Sequence, residues 1–132
     1  MILQFAVVAQ SVAIDRFTNR LSIFNVCERI EAPQFPIFVA ELVFVAVVRR
    51  EPNEPAVYDT ILNIRLGQTV IGQANLHIDF EGSLNNRQVA NFQGLPIVTA
   101  GELQFGFDLP NGVQVNATVP VVQVPAPPQA RA

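Results

Sequence analysis

The chain has 132 residues, a length that fits one domain; 50% of them are hydrophobic and only 14% are charged. This composition excludes a disordered chain, which needs low hydrophobicity and many charges. A net charge of −3 without a basic run excludes an electrostatic nucleic-acid binder, and a single cysteine excludes an internal disulfide.

The polar surface carries few charges. All eight basic residues are arginine, so asparagine and glutamine must supply much of that surface. Weak mutual repulsion on such a surface favours association. We therefore expect the chain to contact a second copy of itself or another protein.

The first residues show no secretory signal, because Met1 leads directly into an apolar, strand-like segment with no basic residue before it. The longest apolar stretch, residues 36–48, is too short for a membrane helix and contains Glu41. These features predict a soluble, cytoplasmic protein with no membrane association. The lone Cys27 is compatible with a reducing compartment.

Apolar and polar residues alternate with a period of two along most of the chain, a pattern that predicts strands. The first strand covers residues 2–10. A turn in which Asn19 can take a left-handed conformation leads to a second strand at 21–30. Pro33 and Pro36 end this strand because proline removes a hydrogen-bond donor from the ladder.

The segment from Ile37 to Arg50 is the most apolar of the chain. Its many β-branched residues favour a strand over the alternative, a core helix. One face would comprise Phe38, Ala40, Leu42, Phe44, Ala46 and Val48. The other face, the candidate interface, would comprise Ile37, Val39, Val43, Val45 and Val47. A strand that is apolar on both faces is covered on both. The second face therefore requires another chain or an overlying loop.

Two hairpins are predicted in the second half. Residues 57–66 pair with 69–80 around Gly67, and residues 102–109 pair with 113–119 around an Asn-Gly turn. The inward side chains are expected to be Val70, Ala74, Leu76, Ile78 and Phe80 in the first hairpin, and Leu103, Phe105, Phe107, Leu109, Val113, Val115, Ala117 and Val119 in the second.

A weaker strand at residues 87–93 separates the hairpins and is expected to end in a turn at Gly94-Leu95-Pro96. The pattern as a whole predicts an all-β fold, a single β-sandwich of about eight mostly antiparallel strands in an immunoglobulin-like or Greek-key arrangement. The sandwich domain would span residues 1–122, followed by a Pro/Ala-rich extended tail at 123–132.

Few residues are candidates for catalysis or metal binding. His77 and Asp79 share the outward face of one strand, so they could form an acid/base pair or part of a metal site. A solvated polar row explains them more simply. A calcium site built from Asp59, Asp79 and Glu81 fits no EF-hand loop. Cys27 is expected to be a small buried hydrophobe, because no base lies at a recognisable offset.

No catalytic, cofactor-binding or metal-ligating residue is therefore predicted. Tyr58, His77 and Asp79 are weak ligand candidates, because an aromatic ring beside amide-rich strand faces suits recognition of sugar hydroxyls.

Several strings resemble a bacterial family of uncharacterised small β-sandwich proteins. They are residues 3–9, 18–26, 35–52, 93–97 and 101–105. These motifs consist of strand and turn residues and contain no catalytic residue. The resemblance therefore implies the fold and provides no active site.

The leading hypothesis is a non-enzymatic interaction or assembly module that uses the apolar strand face or a sheet edge. The alternative is a ligand-binding domain, for example for carbohydrate. An enzyme would require Asp15, Asp59, His77, Asp79 or Glu81 to converge in one pocket.

Overall fold

The computed structural model describes residues 1–126, in which nine strands and no helix occur. The strands are β1 (Ile2–Ile14), β2 (Leu21–Val26), β3 (Ile30–Ala32), β4 (Ile37–Arg49), β5 (Val57–Leu66), β6 (Thr69–Asp79), β7 (Asn85–Ile97), β8 (Gly101–Asp108) and β9 (Gln114–Gln123). The prediction of an all-β chain is confirmed. No helical segment within the described residues has the length and apolar character that a membrane span requires.

The strands form two sheets. The first has the order β2-β1-β4-β7 and the second the order β3-β9-β8-β5-β6. Every pairing is antiparallel except that of the short β3 with β9. The mostly antiparallel arrangement is therefore as predicted, with nine strands instead of about eight.

One apolar core joins the two sheets. Phe44 of β4 stacks on Phe105 of β8 with ring centroids 5.9 Å apart, and Phe107 meets Phe44 edge-on at 6.2 Å. Phe92 of β7 packs against Phe105 at 5.8 Å. Offset and edge-on aromatic pairs of this kind add to the free energy gained from burial alone. Leu103, Phe105, Phe107 and Leu109 are all buried, as predicted. This two-sheet arrangement is consistent with a sandwich.

Strand β4 changes the face that it presents to the core. Leu42 lies in the core, but nearer the start of the strand Ile37 and Val39 pack against it instead. Phe38 is 73% exposed, and Ala40 is exposed as well. The prediction that Phe38 and Ala40 share a face with Leu42 and Phe44 is therefore wrong.

The neighbouring strand β7 changes its face at the same register position, where Gly94 has a φ of 65°. This left-handed residue interrupts the alternation, so Phe92 packs against the core before it and Leu95 after it. The predicted turn at Gly94-Leu95-Pro96 is wrong, since β7 continues to Ile97. Pro96 is tolerated because β7 is an edge strand, where a missing donor costs no ladder bond.

The predicted strand at 21–30 divides into two strands that belong to different sheets. Asn25 takes a left-handed φ of 54°, and β2 ends at the next residue. The N–H of Cys27 donates to the carbonyl of Val8 at 2.7 Å, and the chain then enters the second sheet as β3. The alternation alone did not indicate this crossing.

The far half of the β1–β2 hairpin leaves the first sheet and folds over its outer face, the face that points away from the second sheet. Pairing of β1 with β4 stops at Ala9 and Val43. At the tip, the guanidinium of Arg87 donates to the carbonyl of Asn19 at 3.0 Å. Since Arg87 lies on β7, beyond β4, the hairpin must cross β4 to reach it.

The crossing hairpin covers apolar side chains of β4. Val43 and Val45 are 1% and 0% exposed, although they point away from the shared core. On the hairpin, Val12, Leu21 and Ile23 are half-buried, and Val12 and Ile23 are register partners. The chain therefore covers both faces of its most apolar strand.

Two smaller differences concern the second sheet. A register shift at Ile64/Arg65 turns Val70 outward and lets Ile71 pack against the core. Strand β9 extends to Gln123, one residue beyond the predicted domain limit. Of the predicted tail at 123–132, residues 127–132 lie outside the described part of the chain.

We predict that Gly94→Ala lowers the free energy of unfolding by about 1–2 kcal/mol, because a Cβ strains the left-handed conformation although no neighbouring atom obstructs it. Urea denaturation measures the change. Gly94→Asn is the matched control and should cost less, since asparagine tolerates this conformation. Equal stability of Gly94→Ala and the wild type would contradict the role assigned to this residue.

Candidate functional site

The five residues of the candidate interface are not exposed in the folded chain. Ile37 and Val39 pack against the core, Val43 and Val45 lie beneath the hairpin, and Val47 is half-buried. A partner that meets the folded chain must therefore contact other side chains.

His77 has a partner that the sequence pattern did not indicate. Its register partner on β5 is Asp59, and the His77 Nδ1 lies 2.7 Å from the Asp59 Oδ1. This hydrogen bond raises the pKa of His77 above its ordinary value, and the charge of Asp79 adds a smaller effect. Both members of the pair are largely exposed, so the pair lies on open surface.

Asp79 has a local structural role. Its carboxylate accepts the backbone N–H of Glu81 at 2.8 Å, and its carbonyl accepts a bond from the Asn86 amide. These bonds shape the turn between β6 and β7. Among residues 1–126, no three side chains of His, Cys, Asp or Glu come together as a metal site would need.

Tyr58 pairs with Ile78, but its side chain lies on the opposite face of the sheet from those of His77 and Asp79. Its hydroxyl is buried without a hydrogen-bond partner among the described residues, and burial raises its pKa to about 12. The ring packs against the core, so Tyr58, His77 and Asp79 do not form one site. Cys27 is also partly buried, which raises the pKa of its thiol.

A shallow depression of about 120 Å³ lies on the outer face of the second sheet. We call it the Gly106 groove; its lining includes Ile61, Asn63, Arg65, Gln104, Gly106, Asp108, Gln114 and Asn116. In register, Gly106 lies between Asn63 of β5 and Asn116 of β9. The sequence could not indicate the groove, because its residues come from three strands.

The second surface feature is the tip of the β1–β2 hairpin, residues 15–20. The carboxylate of Asp15 accepts the N–H groups of Phe17 and Thr18, each at 2.8 Å. These bonds lower the pKa of Asp15. Two backbone bonds, between Asp15 and Arg20 and between Asn19 and Asp15, close the turn. The side chain of Phe17 is 90% exposed on this fixed backbone.

Arginines surround the hairpin tip. The guanidinium of Arg16 lies 5.8 Å from the centroid of the Phe17 ring, close enough for a cation–π contact. Arg20 closes the turn, and Arg87 holds it against β7. The nearby carboxylate of Asp15 is engaged with backbone N–H groups. The tip thus combines an aromatic ring with positive charge in a chain whose net charge is −3.

A family model for a family of unknown function, DUF6941, matches residues 4–122. The chain belongs to the DUF6941 family. The expected resemblance to a family without an established function is thereby confirmed. Both the hairpin tip and the Gly106 groove lie within the region matched to DUF6941. No curated protein and no solved structure matches the chain significantly.

We predict that Asp59→Asn lowers the pKa of His77 toward its ordinary value of 6.5, whereas Asp79→Asn lowers it less. NMR titration of the imidazole protons measures both shifts. Because the folded-state pKa is raised, the pair stabilises the fold at pH values below 6.5, and this contribution disappears as the pH rises through the folded value. A larger effect of Asp79→Asn would contradict the assignment of Asp59 as the main partner.

Proposed function

We propose that the protein is a non-enzymatic interaction module that binds another protein through its hairpin tip. The observation that carries the proposal is the 90% exposed side chain of Phe17 on a hydrogen-bonded turn. A turn that is already ordered loses little conformational entropy when it binds. Aromatic residues and arginine are also the side chains that most often dominate the binding energy of protein interfaces.

The scaffold of this module is the pair of packed sheets, which we regard as a β-sandwich. The hairpin is fixed to this scaffold at two places. At its base, β1 pairs with β4 in the first sheet. At its tip, Arg87 on β7 holds Asn19. This anchoring favours a tip that keeps its orientation when a partner arrives.

The chemistry of the tip indicates the kind of partner. The partner should offer an apolar pocket for Phe17. Carboxylates around that pocket would pair with Arg16 and Arg20, which lie on either side of Phe17. Electrostatic complementarity of this kind contributes mainly to specificity and to the rate of association. We therefore propose an acidic protein surface with one apolar pocket.

The experiment places a photo-crosslinking phenylalanine analogue at position 17 in the intact chain in its native cells. We expect one discrete crosslinked species, identified by mass spectrometry. The matched control carries the analogue at position 38, since Phe38 is also largely exposed but lies in a strand without flanking arginines. The same adducts from both positions would show that exposure alone causes the crosslink and would contradict the proposal.

The charge of the tip is tested separately. The Arg16→Ala/Arg20→Ala double variant should reduce the yield of the crosslink from position 17, and added salt should reduce it in the wild type. Arg65→Ala is the control, because this arginine lies on the other sheet. An unchanged yield in the double variant would contradict an acidic rim.

A further inference from the structure

We infer that the Gly106 groove binds an uncharged, polyhydroxylated ligand, of which a saccharide is the natural example. This site lies on the second sheet and does not depend on the hairpin tip. The inference rests on the shape of the groove, its unpaired polar groups and the balance of its charges.

The shape follows from the missing side chain at position 106. A Cβ there would lie 2.5 Å from the Oδ1 of Asn116 and 3.1 Å from the carbonyl of Val115. The surrounding positions in register carry full side chains, including Asn63 and Asn116. The glycine therefore leaves room for the Asn116 amide, which lies against the backbone of Gly106 at the floor of the groove.

The groove presents several polar side chains that have no hydrogen-bond partner among residues 1–126. They are Arg65, Gln104, Asp108, Gln114 and Asn116. By contrast, Asn63 accepts a bond from the Nε2 of Gln73 at 2.7 Å, which orients its amide. Each free amide offers both donors and an acceptor. A hydroxyl group also donates and accepts, so a polyol can satisfy several of these groups at once.

The charges of the groove favour a neutral ligand. Arg65 contributes one positive charge and Asp108 one negative charge, and the remaining polar lining residues are amides. Asp108 would repel an anionic ligand, and Arg65 would repel a cationic ligand. The exposed Ile61 offers an apolar patch on the same lining, against which the C–H face of a sugar ring can pack.

The test is an NMR titration of the 15N-labelled chain with glucose, galactose, mannose, maltose and cellobiose. We expect at least one of these saccharides to shift the backbone signals of Arg65, Gln104, Gly106 and Asn116 in a saturable manner. The absence of such shifts with all five saccharides would overturn the inference.

Variants locate the binding. Gln104→Ala/Asn116→Ala removes two side chains that can hydrogen-bond the ligand and should weaken binding about tenfold or more. Asn91→Ala is the matched control, because Asn91 is an exposed amide on the other sheet, and it should leave the affinity unchanged. Equal affinity of the double variant and the wild type would overturn the assignment to this groove. The crosslinking experiment from position 17 tests the hairpin tip, which does not belong to the second sheet. The proposal of partner binding and the inference of saccharide binding can therefore fail independently.

Discussion

The structure depends on the need to cover both faces of β4. This strand is apolar on either side, and its central valines would expose a hydrophobic surface if only one face were packed. The second sheet covers one face through the aromatic cluster around Phe44 and Phe105. The far half of the β1–β2 hairpin covers the other and is held there by Arg87. The apolar strand that suggested an interface is thus buried by its own chain.

The same folding-over of the hairpin has a consequence for function. A hairpin that crosses the sheet must turn back at its far end, and there its tip is no longer packed beneath another element. Asp15 fixes the backbone of this tip through hydrogen bonds inside the turn, and Arg87 on β7 fixes it through a hydrogen bond to Asn19. Phe17 is left exposed on a turn whose conformation is already determined. The element that closes the hydrophobic surface also presents the residue that we propose for partner binding.

The sequence predicted most strands and much of the core, because alternation and turn residues are local signals. Its errors occur where one backbone conformation alters that alternation. Strand β7 changes its face at Gly94, and β4 does so at the same register position. Asn25 ends β2 before the chain changes sheets, and a bulge at Ile64/Arg65 turns Val70 outward. The sites were less predictable, since they combine distant segments. His77 pairs with Asp59 across two strands, and the Gly106 groove draws its lining from three.

The central claim is that the hairpin covers the outer face of β4, and the most direct measurement is the rate at which a thiol reagent labels Val45→Cys in a Cys27→Ser background. We predict slow labelling compared with Val70→Cys, an exposed position on the other sheet. Adding Arg87→Ala to the Val45→Cys chain should accelerate labelling, because the hairpin then opens more often. Labelling of Val45→Cys as fast as that of Val70→Cys would contradict the account.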